Sequence, residues 1–150
     1  MSMITVQGLT KRYGGRTVVD DVSFSVEEGE TFGLLGPNGA GKTTIVETIA
    51  GLRRPDAGSV RVAGLDPVAD EEAVKDVLGV QLQESRFPDR LRVAEALELF
   101  ASFYGSPAPW RELMAELGLE DQANTPFAKL SGGQRQRLSI AAALLGRPQV

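Results

Sequence analysis

The sequence lacks cysteine, and it also lacks histidine. The absence of cysteine excludes disulfides and thiolate metal sites. No apolar stretch approaches the roughly 20 residues that a membrane-spanning helix needs, and residues 1–6 lack the basic region and long apolar run of a signal peptide. The net charge of −4, with acidic and basic residues mixed along the chain, gives no reason to expect nucleic acid as a partner.

What remains is the composition of an ordinary globular domain, with 42% hydrophobic and 24% charged residues in a chain of 150 residues. Short or alternating apolar runs predict strands at residues 4–9, 18–26, 31–35, 59–63 and 78–82. Apolar positions at helical spacing predict helices at residues 43–50, 71–77, 93–104, 110–117 and 134–145. The pattern indicates an α/β fold that is interrupted by a helical insertion.

A glycine-rich run joins the strand predicted at residues 31–35 to the helix predicted after it. It matches G-x-x-x-x-G-K-[ST] at every required position: Gly36-Pro37-Asn38-Gly39-Ala40-Gly41-Lys42-Thr43. The glycines let successive backbone N–H groups face phosphate oxygens, and the following helix adds its positive N-terminus. Lys42 would place a cation against the β- and γ-phosphates, and the Thr43 hydroxyl would reach Mg²⁺. The alternative is a strand-to-helix turn with a surface lysine, but the flanking elements favour a nucleoside triphosphate site.

A second glycine pair lies in Leu130-Ser131-Gly132-Gly133-Gln134. Taken alone, it is explained by Ser131 as the N-cap of the next helix, with the glycines forming a turn. In a chain that also has a P-loop, a hydroxyl, two open N–H groups and a helix N-terminus indicate a second anion site. Two such sites imply either two ligands or one ligand held between two chains.

Together these segments resemble the nucleotide-binding domains of ABC (ATP-binding cassette) proteins. The resemblance runs from Leu9-Thr10-Lys11-Arg12-Tyr13-Gly14 through the P-loop and Thr44 to Leu130-Ser131-Gly132-Gly133-Gln134-Arg135-Gln136-Arg137. It implies a P-loop NTPase core with an N-terminal antiparallel β portion and a helical insertion subdomain. The expected parts are a β portion and core at residues 1–83, a helical subdomain at 84–128, and a signature loop with its helix at 129–150.

The resemblance also implies the ligands, which are ATP and Mg²⁺. ATP would contact the P-loop with Thr44, and the signature residues Ser131, Gly132, Gly133 and Gln134 would complete the P-loop site of a second subunit in a head-to-tail dimer. Tyr13 matches the aromatic that stacks on adenine, although a surface tyrosine in a turn is the alternative. Gln83 matches the glutamine that touches Mg²⁺ beside Thr43, so Lys42 and Gln83 are the expected catalytic residues. Gln81 competes for the role of Gln83, and an ordinary polar residue at a strand end is the plain alternative.

The implied protein is the ATPase subunit of an ABC transporter, most similar to bacterial multidrug or antibiotic exporters. It would work with separate transmembrane permease subunits, in the cytoplasm on the inner face of the cell membrane. The alternatives are a soluble ABC ATPase of translation or DNA repair, and a truncated nucleotide-binding module without activity.

The family's next strand, with its Mg²⁺-binding Asp and water-activating Glu, and a later histidine are expected beyond Val150, which would explain the missing histidine. The full-length protein is therefore expected to hydrolyse ATP, and residues 1–150 to retain no more than a trace of that activity.

Overall fold

The computed structural model describes residues 1–81 and 87–150. Within them the chain forms two compact units, one of residues 1–78 together with Val150 and the other of residues 79–149. The expected α/β fold class is confirmed. The expected boundaries at residues 83 and 128 stay a prediction.

The first unit is built on a three-stranded antiparallel sheet. Strands β1 (Ser2–Tyr13) and β2 (Arg16–Glu27) form a hairpin, and β3 (Ala57–Val62) pairs with the other edge of β1. The hairpin turns through Gly14 and Gly15, where φ values of 53° and 80° favour glycine. The strands predicted at residues 4–9, 18–26 and 59–63 are thus confirmed, and the first two are longer than predicted.

Helix α1 (Lys42–Ile49) packs against this sheet through Ile45. Ile45 joins a buried cluster with four side chains from the three strands, which are Val6, Leu9, Val19 and Val60. Burying aliphatic side chains of this size contributes roughly 1.5–3 kcal/mol each. The start of α1 is therefore tied to the sheet by the same core that holds the strands together. Helix α2 (Glu71–Val77) completes the unit, as predicted.

The second unit is helical. It contains α3 (Val93–Ala101), α4 (Trp110–Glu116) and α5 (Gly132–Leu144), together with two short 3₁₀ turns, Glu120–Gln122 and Phe127–Lys129. Its core includes five fully buried side chains: Val93, Leu97, Leu119, Leu138 and Leu145. The three predicted helices are confirmed. Among the residues described, no helix is both long and apolar enough to cross a membrane.

The strand predicted at residues 31–35 is wrong. No described segment pairs with it, and a strand needs a partner for its backbone N–H and C=O groups. Phe32 stacks on Phe24 of β2 with ring centroids 4.8 Å apart, and Leu34 packs against the sheet core. Leu35, however, is 92% exposed. The apolar run at residues 31–35 therefore contacts the sheet through the side chains of Phe32 and Leu34, and its backbone is not part of the hydrogen-bonded sheet.

The strand predicted at residues 78–82 is also wrong over residues 78–81, and Leu82 lies outside the described residues. The backbone at Gly79 instead packs on the end of α5, where an added Cβ would lie 2.8 Å from both the Ala143 carbonyl oxygen and Pro148 Cγ. The backbone at Gly79 thus packs closely against the residues at the end of α5, and it does not form the strand hydrogen bonds that the apolar pattern predicted.

The tight turn after β3 leads to a stability prediction. Val62 and Leu65 exchange two backbone hydrogen bonds of 2.9 Å, and the central residues Ala63 and Gly64 both have positive φ, 48° and 81°. Alanine is unfavourable in this region, whereas Asn tolerates it and Asn-Gly is the preferred pair. We expect Ala63→Asn to raise the free energy of unfolding by roughly 0.5–1 kcal/mol, measured by urea denaturation.

The matched control is Gly64→Ala, which places a second Cβ in the same unfavourable region. It should lower the free energy of unfolding by about 1 kcal/mol. A neutral or destabilising Ala63→Asn substitution would contradict the assignment of this turn.

Candidate functional site

The glycine-rich loop of the first unit is shaped by two residues with positive φ. Gly39 has φ 82° and Gly41 has φ 87°. A Cβ on Gly41 would lie 2.6 Å from the Val18 carbonyl oxygen and 2.9 Å from Val19 Cγ2. Glycine is therefore required at position 41 for two reasons: the backbone conformation there and the close approach of the loop to β2. This contact fixes where α1 begins.

Lys42 closes the loop on itself. Its ammonium donates to the carbonyl oxygens of Gly36 at 2.6 Å and Pro37 at 2.7 Å. An ammonium group has three donors, so these two bonds leave one for a further acceptor. The Ala40 N–H also donates to the Pro37 carbonyl at 3.2 Å. The lysine thus orders the loop in which it stands.

The first turn of α1 carries donors without acceptors. Its N-cap, Gly41, has no side chain to cap the helix. Among the described residues, the structure gives no hydrogen-bond acceptor for the backbone N–H groups of residues 41–44. Helix N-termini with free N–H groups carry a partial positive charge. Lys42, the first residue of α1, adds an ammonium group that is bound within the same loop. Together these groups are donors of the kind that bind a phosphate.

Of the two expected protein ligands of Mg²⁺, Thr43 lies within the described residues. Thr43, the second residue of α1, is exposed, so its hydroxyl is accessible. Gln83 lies outside the described residues. Within the ranges 1–81 and 87–150, no three Asp, Glu, His or Cys side chains cluster as a metal site. A hydroxyl alone does not hold Mg²⁺, which takes phosphate oxygens and water as its other ligands in nucleotide sites. The residues present fit a magnesium ion that arrives with the nucleotide.

The signature residues begin α5 in the second unit. Ser131 and Gln134 form a capping box: Gln134 N–H donates to Ser131 Oγ at 3.2 Å, and Ser131 N–H donates to Gln134 Oε1 at 2.8 Å. The N-cap alternative for Ser131 therefore describes a real interaction. The Ser131 hydroxyl, as an acceptor here, keeps its own hydrogen for another partner.

Gly132 and Gly133 have no structural need to be glycine. Neither has positive φ, and an added Cβ at either position would meet no atom of residues 1–81 or 87–150 within 4 Å. Glycine inside a helix costs up to about 1 kcal/mol relative to alanine. Their N–H groups have no acceptor among the described residues. What the two glycines provide is an unobstructed backbone at the start of α5.

Arg135 is a residue of this site that sequence reasoning missed. Its guanidinium donates to the Ala128 carbonyl at 2.9 Å and lies 5.1 Å from the Phe127 ring centroid. It thereby fastens the first turn of α5 to the 3₁₀ turn that precedes the signature. The available signal was a cation in the first turn of a helix, where the helix dipole disfavours positive charge.

Tyr13 ends β1 and is 40% exposed. Lys11 Nζ and the guanidinium carbon of Arg53 each lie 5.6 Å from its ring centroid. The sequence pattern singled out Tyr13 but gave no role to these two cations. Tyr13 and the P-loop belong to the first unit, and Ser131–Gln134 belong to the second.

An uncapped helix that follows a glycine loop closed by its own lysine is the site of a P-loop nucleotide-binding protein. The protein-family model described as "ABC transporter" matches residues 19–150. This chain belongs to the ABC transporter family, and the family expected from its motifs is thereby confirmed.

Curated relatives agree with this assignment. The chain is 41% identical over 153 aligned residues to the Nod factor export ATP-binding protein I of Ralstonia nicotianae, covering 99% of this chain and 48% of that protein. It is 42% identical over 154 residues to the doxorubicin resistance ATP-binding protein DrrA of Mycobacterium tuberculosis, covering 98% and 46%. The chain thus spans about half the length of the curated relatives it matches.

Solved structures agree as well. An ATP-binding subunit of an ABC transporter superposes with a TM-score of 0.86 at 30% identity, covering 97% of this chain and 63% of the other. A nucleotide-free ATP-binding cassette, with a TM-score of 0.81 and 24% identity, covers 99% and 66% and shares the fold. The expected P-loop NTPase fold is confirmed.

Proposed function

We propose that this protein is the ATP-binding subunit of an exporter, and that ATP binds at the P-loop of the first unit. The observation that carries the proposal is the donor set at the start of α1, where the N–H groups of residues 41–44 have no acceptor among the described residues and Lys42 adds its ammonium group. The relatives named for Nod factor export and doxorubicin resistance support the direction of transport.

The contacts to ATP follow from the donor set. The N–H groups of the P-loop and of Thr44 would donate to phosphate oxygens, and the free donor of Lys42 would add a charge-assisted hydrogen bond. Tyr13, half-exposed at the end of β1, would stack on the adenine. Mg²⁺ would neutralise phosphate charge when bound, and Thr43 with Gln83 are the proposed protein ligands.

The partners are a second ATP-binding subunit and transmembrane permease subunits. The glycines at 132 and 133 support the first of these, because they keep the start of α5 open without serving its own packing. A second subunit would place the γ-phosphate of its own ATP against the Ser131 hydroxyl and these N–H groups. The protein would act in the cytoplasm, at the inner face of the membrane that holds its permease.

Hydrolysis is proposed for the full-length protein, with Lys42 and Gln83 in its catalytic machinery. Among the described residues, the carboxylates of α1 and of the segment that leads from it to β3 have cationic partners: Glu47 accepts from Arg53, and Asp56 accepts from Lys11. Neither is an unpaired base beside the loop. We therefore propose that residues 1–150 bind ATP and hydrolyse it at a trace rate.

The ATP-binding proposal is tested by Lys42→Ala. Loss of one charge-assisted hydrogen bond to phosphate should weaken ATP binding roughly tenfold or more, measured by isothermal titration calorimetry with Mg²⁺ present. Lys75→Ala is the matched control, because Lys75 pairs with Glu71 and Glu72 on α2 and should leave the affinity unchanged. Equal affinities for wild type and Lys42→Ala would contradict a P-loop site.

The hydrolysis proposal is tested by phosphate release from ATP. We expect the 150-residue chain to release phosphate at no more than a trace rate, close to that of its Lys42→Ala variant, since Glu47 and Asp56 are engaged with Arg53 and Lys11. Lys42-dependent turnover far above a trace rate would show that residues 1–150 already contain a complete catalytic set.

The partner proposal is tested by Gly133→Ala. A methyl group at this position should stabilise α5 by up to about 1 kcal/mol. It should also weaken the ATP-dependent association of two chains, because it fills the space beside the backbone N–H groups at the start of α5. Thermal unfolding and sedimentation with Mg²⁺ and ATP measure the two effects. Gly105→Ala is the control, since Gly105 also has open space and no positive φ. Unchanged association for Gly133→Ala would argue against this contact.

A further inference from the structure

Two cations lie close to the Tyr13 ring, and no motif assigns a role to either of them. Lys11 Nζ and the guanidinium carbon of Arg53 each lie 5.6 Å from the ring centroid, within the roughly 6 Å at which a cation is attracted to an aromatic face. Lys11 comes from β1 itself, whereas Arg53 follows α1. The ring at the end of β1 is therefore contacted by residues from two different parts of the first unit.

Arg53 is itself fixed to α1. Its Nε donates to the carboxylate of Glu47 on that helix, and its backbone N–H donates to the Glu47 carbonyl at 3.2 Å. The pKa of Arg53 is raised, chiefly by its hydrogen bond to Glu47 and by the charge of that carboxylate, and to a smaller extent by the Tyr13 side chain. Glu47, Arg53 and Tyr13 thus form a continuous connection from the helix that begins at Lys42 to the aromatic ring.

Lys11 is fixed by Asp56. Lys11 Nζ donates to Asp56 Oδ1 at 3.1 Å, while Asp56 Oδ2 accepts from the Arg12 N–H at 2.7 Å. The Arg12 N–H and then the Lys11 ammonium hold the pKa of Asp56 below its usual value. The Asp56 N–H also donates to the Thr10 carbonyl at 2.9 Å. The carboxylate therefore holds both Lys11 and the strand end that carries Tyr13.

Stability alone does not account for this arrangement. Both ion pairs are partly open to solvent, since the side chains of Asp56 and Arg53 are 41% and 42% exposed while those of Lys11 and Glu47 are 16% and 22% exposed. Ion pairs that solvent reaches contribute little to folding. Ordering an exposed aromatic ring before it binds, by contrast, lowers the entropy lost on binding. A ring that is free to rotate would have to lose that freedom each time a flat ligand stacked on it.

We propose that Arg53 and Lys11 are positioning residues, which hold the Tyr13 ring in the orientation in which it stacks on the base of ATP. The inference rests on the proposed binding of ATP and extends it to two residues outside the P-loop and signature. Glu47 and Asp56 act through these cations, and none of the four is required to touch the nucleotide.

The test compares ATP with inorganic tripolyphosphate, which has the phosphates without the base. Titration calorimetry with Mg²⁺ measures both affinities for the 150-residue chain and its variants. Arg53→Gln should weaken ATP binding about two- to fivefold and leave tripolyphosphate binding unchanged. Lys11→Gln should act in the same direction, and it keeps the inference testable if Arg53→Gln fails to fold.

Two further variants separate positioning from simple charge attraction. Glu47→Gln should also weaken ATP binding, because it releases Arg53, whereas charge attraction predicts tighter binding once an acidic group is removed. Arg54→Gln removes the same charge from the next residue and should leave both affinities unchanged. On a Tyr13→Ala background, Arg53→Gln should have no additional effect on ATP.

The outcomes distinguish this inference from the function on which it rests. Equal effects of Arg53→Gln and Arg54→Gln, or tighter binding by Glu47→Gln, would overturn the positioning role while ATP binding stands. A wild-type chain that binds neither ATP nor tripolyphosphate would overturn the proposed function and this inference with it. The inference is supported if Arg53→Gln, Lys11→Gln and Glu47→Gln each weaken the binding of ATP and leave the binding of tripolyphosphate unchanged.

Discussion

The close approach of Gly41 to β2 is the constraint on which the site depends. A Cβ there would meet the Val18 carbonyl oxygen at 2.6 Å, and because that atom belongs to the backbone, no change of rotamer could relieve the clash. The same residue supplies the positive φ that turns the chain into α1. One glycine therefore fixes the start of the helix against the sheet and, by having no side chain, leaves the helix uncapped. Both consequences are needed for a set of backbone donors that is rigid and still available.

The two glycine-containing helix starts solve different physical problems. At α1 the glycines are required by the loop's own geometry, and the donors that follow lack acceptors among the described residues. At α5 the chain satisfies part of the helix end itself, through the reciprocal bonds of Ser131 and Gln134. Gly132 and Gly133 add no turn, and they relieve no contact with the part of the chain that the structure describes. A helix N-terminus can thus be capped by its own chain, as at α5, or left for a ligand to stabilise, as proposed at α1.

Sequence reasoning succeeded where the determining interactions are local. Helix periods and the P-loop pattern each depend on neighbours along the chain, and the structure has the corresponding helices and glycine-rich loop. It failed at residues 31–35 and 78–81, because an apolar run predicts burial but does not specify the strand that would pair with it. It also missed the surroundings of Tyr13, since the Arg53 contact depends on how the segment after α1 returns to the end of β1. Pairings distant in sequence carry no periodic signal in a single chain.

The side chains of Lys42 and Tyr13 are both ordered by contacts within the chain, before any ligand binds. In each case a mobile side chain is ordered by acceptors or cations of the chain itself: Lys42 by the carbonyls of Gly36 and Pro37, and Tyr13 by Lys11 and Arg53. A lysine side chain has about 2 kcal/mol of rotamer entropy to lose, and ordering it within the folded loop removes most of that loss from the binding step. The proposed contacts to the phosphates and to the base are therefore both prepared in advance. Glu47 links α1, the helix that begins at Lys42, to Arg53, so this helix joins the two ends of the proposed nucleotide site.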